Sequence, residues 1–273
     1  IDPWLTTRER EQTYWANQDM RWSYNERRYK KLLQYHPGGL LLYLYGNSGQ
    51  VEHLFDLFRK VFEAIAEQGV NAEERGYLSG IVRRVDEQYY TDEWAKCCLL
   101  LYKKELLQKP PLCLQRLFFR HPGKMKMFLE ENPSRSFDVE NDYYLPEEAY
   151  QDKRAFDCWA ECLYEEFPEI LGYIMGKSCN GKDGAFPHEF IREFLEKQQN
   201  EKLTKAVFYG KFNSRGARIV QDGRTLYEQA KCYRAQAREL RLKFPQSAKI
   251  LLQLAKWMES EAQHDQLEAE IVP

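Results

Sequence analysis

From Val51 the apolar residues fall at 51, 54, 55, 58, 61, 62 and 65, steps of three and four that gather them on one broad helical face. Ser48 stands in front as a cap and Gly69 behind as a stop. Asn71 offers a cap for a second helix reaching about Tyr90, and Thr91 for a third running up to Pro110-Pro111. The alternation returns near the C-terminus, where Leu226, Ala230, Tyr233, Ala237, Leu240 and Phe244 share one face. Alanines on that face let a neighbouring helix approach closely. The last helix, from Pro245, packs through Leu251, Leu254, Ala255, Met258 and Ala262 and then turns acidic. Two short apolar pieces, Leu40 to Tyr45 and Arg218-Ile219-Val220, are compatible with an extended conformation, because runs this short cannot be assigned by period.

Prolines punctuate the pattern. Tyr35-His36-Pro37, Arg120-His121-Pro122, Phe167-Pro168, Phe186-Pro187 and Phe244-Pro245 each place an aromatic or histidine before proline. Proline is excluded from helix interiors and favoured in a first turn, so each reads as the end of one helix and the start of the next. Leu32 to Gly38 is echoed by Leu117 to Gly123, which predicts equivalent turns with His36 and His121 capping carbonyls. The steps from Pro37 to Pro122, Pro168 and Pro245 are 85, 46 and 77 residues, about two, one and two units of roughly forty. The expectation is an all-α chain of about ten to twelve helices. They are stacked as an irregular α-solenoid or helical-repeat array, with a globular helical bundle as the alternative. This organisation is similar in general terms to tetratricopeptide and HEAT-type arrays, which implies a concave recognition surface. Asn132 to Tyr144 lacks a helical period and is rich in turn formers. It predicts a division into helical subdomains at 1–132 and 146–273, joined by a loop or linker at 133–145, with a long loop inside one continuous array as the alternative.

Composition narrows the field. Hydrophobic residues make up 43% and charged residues 30%, the balance of a folded, soluble chain. A net charge of −2 supplies no general field for a polyanion, and no apolar run approaches a membrane span. Seven cysteines at uneven spacings suit reduced, buried thiols in a cytoplasmic protein. The chain opens Ile1-Asp2-Pro3 without an initiator methionine, so it reads as the C-terminal part of a larger protein.

Candidate chemistry is sparse. Arg116 and His121 have the spacing of the ribonuclease motif of HEPN domains, which they resemble; that likeness implies attack on an RNA phosphodiester, while the His-Pro-Gly continuation reads as a helix end. Cys158 and Cys162, one turn apart, with Cys179 and His188 downstream, are of zinc-ligating type, but no CxxC pair accompanies them, and Cys158 and Cys162 coincide with Trp159 and Leu163 on an apolar face and read as buried thiols. The glycine loops at Gly46 and Asn180 lack a GK[ST] sequence and read as turns. No catalytic residue, metal site or cofactor is therefore assigned. The N-terminal aromatics Trp4, Tyr14, Trp15, Trp22, Tyr24 and Tyr29 read as core or interdomain packing residues, with a recognition surface shared with Arg27 and Arg28 as the alternative. The strongest surface feature is a basic stripe: Lys231, Arg234, Arg238 and Arg241 lie within about 80° of arc on one helix. Glu259 or Glu261 of the last helix is expected to pair with part of it, leaving Arg234 and Arg238 open to an acidic partner. The expected function is a recognition or scaffold module, non-catalytic in this fragment, with that stripe as its binding site. The partner is another protein or an upstream effector domain of the same chain, with nucleic acid as the contrasting ligand and no membrane.

Overall fold

Residues 26–135, 139–140, 142–214 and 224–271 are described by a computed structural model. They hold thirteen α-helices and no strand, and helix content is 78%. The all-α expectation holds, and the ambiguous stretch after Leu40 is helical as α2 below. Arg218 to Val220 and the N-terminal aromatics lie outside the described residues, apart from the backbone of Tyr29. The chain divides into two compact units, Ile1–Leu117 and Phe118–Pro273.

In the first unit α1 (Glu26–Tyr35), α2 (Leu41–Gly46), α3 (Val51–Gln68), α4 (Ala72–Asp86) and α5 (Asp92–Lys103) lead to the start of α6 (Leu112–Arg120). Helices stack on alternate neighbours, α1 on α3, α2 on α4 and α3 on α5. Phe58, Val61, Phe62 and Ile65 of α3 are fully buried, with Trp94 of α5 6.0 Å from the Phe58 ring and 5.5 Å from that of Phe62. The caps follow side-chain chemistry. Asn71 Oδ1 accepts the Glu74 N–H at 2.9 Å while Glu74 Oε2 accepts the Asn71 N–H at 2.9 Å, a reciprocal capping box. Thr91 Oγ1 accepts the Trp94 N–H at 3.1 Å. Gly69 takes φ +79°, which glycine allows at no steric cost, and donates its N–H to Ile65 at 2.8 Å. Ser48 caps nothing: it sits in a 3₁₀ turn before α3 and donates its hydroxyl to Tyr45 at 3.1 Å.

The second unit contains α7 (Pro122–Glu131), α8 (Lys153–Tyr164), α9 (Pro168–Gly176), α10 (Glu189–Gln198), α11 (Glu201–Asn213), α12 (Arg224–Leu240) and α13 (Pro245–Ile271). The stretch expected to separate two subdomains lies inside this unit. Its turn formers break the helical period, but Val139, Tyr143 and Leu145 are buried, and the Tyr143 ring lies 6.3 Å from Phe118. Again α8 packs on α10, α9 on α11 and α11 on α13. The helices α12 and α13 pair through Leu226, Ala230, Ala255, Met258 and Ala262, as their spacing predicts.

Pro122, Pro168 and Pro245 each open a helix, and Pro37 opens a 3₁₀ turn. The residue before three of them shares one conformation: His36 (φ −156°, ψ 58°), His121 (−128°, 71°) and Phe167 (−126°, 48°), pushed out of the α region by the proline ring. Neither histidine side chain accepts an N–H of the helical turn that follows, so the start of that turn rests on the proline rather than on a histidine N-cap. The two turns also lead into different structure, a 3₁₀ turn and six-residue helix after His36 against ten helical residues after His121. Phe186-Pro187 departs from the pattern: its peptide bond is cis, and His188 rather than proline borders α10, accepting the Phe190 N–H on Nδ1 at 3.3 Å.

Candidate partner-binding face

Burial of Leu226, Ala230, Ala237 and Leu240 turns one side of α12 to the core and leaves the basic side outward. The four cations meet different surroundings. Lys231 Nζ reaches Glu228 Oε1 at 2.7 Å one turn earlier on the same helix, with both side chains 71% exposed. Arg234 forms a fork with Glu259 of α13, Nε to Oε1 at 2.7 Å and Nη2 to Oε2 at 2.5 Å. That hydrogen-bonded pairing raises the Arg234 pKa and lowers that of Glu259. The expectation that Arg234 stays open is thus corrected: α13 runs close enough alongside α12 for a planar guanidinium to meet a carboxylate edge to edge. Arg238 and Arg241 are exposed and form no ion pair among the described residues.

Arg241 also borders an open groove of about 380 Å³ whose other lining comes from α13, including Ala248, Lys249, Leu252 and Lys256. Lys249 and Lys256 are exposed, and Lys249 adds to the pull of Lys205, which bonds Glu201 of α11 and holds its carboxyl below the usual range. Leu252 is 46% exposed, and Leu242, in the turn between the helices, 90%. The turn is held from outside: Glu196 of α10 accepts the N–H groups of Gln246 and Ser247 on one oxygen, at 2.7 and 3.3 Å, capping the first turn of α13.

The other candidate residues lie elsewhere. The Arg116 guanidinium is 5.5 Å from the centre of the Tyr90 ring, and exposed His121 borders α7. Cys158 and Cys179 are exposed and Cys162 half-buried, so the expected buried thiols face outward instead. Helix α8 turns Phe156, Trp159, Ala160 and Leu163 inward, which leaves Cys158 on its exposed side and Cys162 part-way between. The four zinc-type residues do not come together within ligand distance. Among the described residues only Asp86, Cys98 and Cys113 do so, with ligand atoms within 4.8 Å of one another.

That trio is saturated by hydrogen bonds. Asp86 Oδ1 accepts the Trp94 indole N–H at 2.8 Å, and Oδ2 accepts the Cys113 N–H at 3.1 Å, where α6 begins. Burial raises the Asp86 pKa against these bonds, and pushes both thiols up, keeping them protonated. The group therefore works as a polar clasp between helices.

A second buried charge was also missed. Arg192 of α10 is 1% exposed and grips Asp183 with two bonds of 2.7 and 2.8 Å, closing the loop that leads to α10 and lowering the Asp183 pKa. Both residues could have been found in the sequence. Asp86 lies four residues after Val82 on an apolar face, and Arg192 lies next to Ile191 and three residues before Leu195. Compared with protein-family models, curated proteins and solved structures, the chain gives no match.

Proposed function

We propose that the chain is a non-catalytic recognition or scaffold module that holds a protein partner on the α12–α13 face. One observation carries this reading: Arg238 and Arg241 are left without ion pairs beside a groove rimmed by Lys249 and Lys256, while Lys231 and Arg234 of the same stripe are neutralised within the chain. Unpaired like charges held close together repel one another, and an acidic ligand relieves that repulsion. Alternate-helix stacking supports an array that presents such a face, as helical-repeat scaffolds do. Free thiols side by side at Cys98 and Cys113 favour a reducing, cytoplasmic setting.

The test compares the chain with Arg238→Glu/Arg241→Glu against labelled poly-glutamate and single-stranded RNA by fluorescence anisotropy at several salt concentrations. Binding of poly-glutamate should be lost in the double variant with an unchanged melting temperature. Tighter binding of RNA, with a steep salt slope, would move the function to nucleic acid. A large drop in melting temperature would show that the stripe serves folding.

A further inference from the structure

We propose that the groove beside Arg241 takes the apolar side of an acidic amphipathic helix from a partner protein, with a leucine-like anchor seated at Leu252. This rests on the reading of the α12–α13 face as the binding surface. The occupant is set by how apolar and charged groups alternate there. Lys249, Leu252 and Lys256 stand at i, i+3 and i+7 of α13, one face of two helical turns, so an apolar centre is bracketed by cations about 10 Å apart along the axis. Arg241 faces them from the turn that ends α12, and Arg238 lies one helical turn before it.

A complementary helix therefore carries carboxylates two turns apart with an aliphatic residue between them. The volume, about 380 Å³, is at the small end of ligand-pocket sizes and open to solvent, which suits one or two side chains of a docked helix. Leu252 at 46% and Leu242 at 90% exposed give such a helix apolar surface to cover. A phosphate backbone has no use for either leucine. The lysine stems extend the apolar floor while their ammonium groups stay at the rim.

The experiment uses two fluorescein-labelled peptides of equal charge with glutamates spaced seven apart, one with leucines between them and one with serines. Each is titrated into the full chain, Leu252→Gln and Arg241→Glu/Lys256→Glu, with phosphatidylserine vesicles as competitor. The leucine peptide should bind about tenfold more tightly than the serine peptide. Leu252→Gln should erase that difference and leave serine-peptide binding as it was, while the charge reversal should remove both. Leu252 is half exposed, so the substitution spares the core. Equal binding of the two peptides by the wild-type chain overturns the anchored helix and leaves the acidic-partner reading standing. Failure of both acidic peptides to bind overturns both. Displacement of the leucine peptide by the vesicles reassigns the groove to a membrane surface and overturns the helix.

Discussion

Gly210 turns its bare Cα to the main chain of Tyr173: a Cβ placed there would stand 2.2 Å from the Tyr173 carbonyl oxygen. Gly172 and Gly176 complete the crossing from the other helix, where a Cβ would meet the Ala206 Cβ at 2.5 Å and the Val207 oxygen at 2.3 Å. The helices α9 and α11 thus touch backbone to backbone, with no side chain able to move aside. Gly210→Ala should destabilise the protein by more than about 2 kcal/mol, because backbone must shift along a whole helix. Gly76→Ala, in α4 with nothing within 4 Å of the added methyl, should instead stabilise by about 0.5–1 kcal/mol through helix propensity. Urea unfolding of both variants measures the contrast, and equal effects would remove the steric account.

Asp86 ties α4 to Trp94 of α5 and to the start of α6. Asp86→Ala leaves two buried N–H groups without acceptors, each costing roughly 1–3 kcal/mol. A loss of about 2–4 kcal/mol is expected in chemical denaturation, with a shifted Trp94 fluorescence spectrum. Asp86→Asn keeps one acceptor and should lose less.

Arg192 is buried while its partner Asp183 is half exposed. Removing only Asp183 leaves the buried guanidinium with Glu189, 3.9 Å from its Nη2, as the remaining carboxylate, whereas removing both groups takes the charge away. Asp183→Asn should therefore cost about 2 kcal/mol, discounted for that exposure, and the double variant Asp183→Asn/Arg192→Met less than the single one. The order of the two midpoints in a urea titration decides it.

How much of this could be read from the chain depended on the range of the interactions. Local chemistry was legible: Gly69, Asn71, Thr91 and the prolines at 122, 168 and 245 act within one turn, and the apolar face from Leu226 to Phe244 needs only helical period. Pairings between distant segments were not. The sequence places Glu259 within reach of the basic stripe, but nothing near Arg234 says that it is the cation Glu259, twenty-five residues on, will meet in a fork. Nothing near Glu196 announces that it caps α13 fifty residues later. The basic stripe was visible as a stripe, but which of its members remain open was decided by the neighbouring helix. Gly172 and Gly176 form a small-residue step that sequence could have offered, yet its partner Gly210 lies beyond an intervening helix. The turn formers from Asn132 to Tyr144 break the helical period, and nothing in that stretch shows that Tyr143 packs beside Phe118, twenty-five residues upstream.

Lys177 comes directly after α9, with its ammonium donating to the Glu140 carbonyl at 2.5 Å and lying 4.7 Å from the centre of the Tyr144 ring. Burial lowers its pKa from 10.5 to about 8, against the opposing pull of Asp142 and Glu140. The charged form is thus disfavoured in the folded protein relative to the unfolded chain. Below pH 8 both states are protonated, and the fold carries the full cost of burying the charge. Between pH 8 and 10.5 the unfolded chain binds more protons, so this cost fades and stability rises with pH; above that window it is gone. At about 1.36 kcal/mol per pKa unit, the whole effect is on the order of 3 kcal/mol. Lys177→Met has no such charge to bury and should lack this rise. Urea unfolding of the two proteins at pH 7, 8, 9 and 10 should show wild-type stability improving relative to the variant mainly above pH 8. A difference that stays flat across that range would mean that Lys177 is solvated as an ordinary surface lysine.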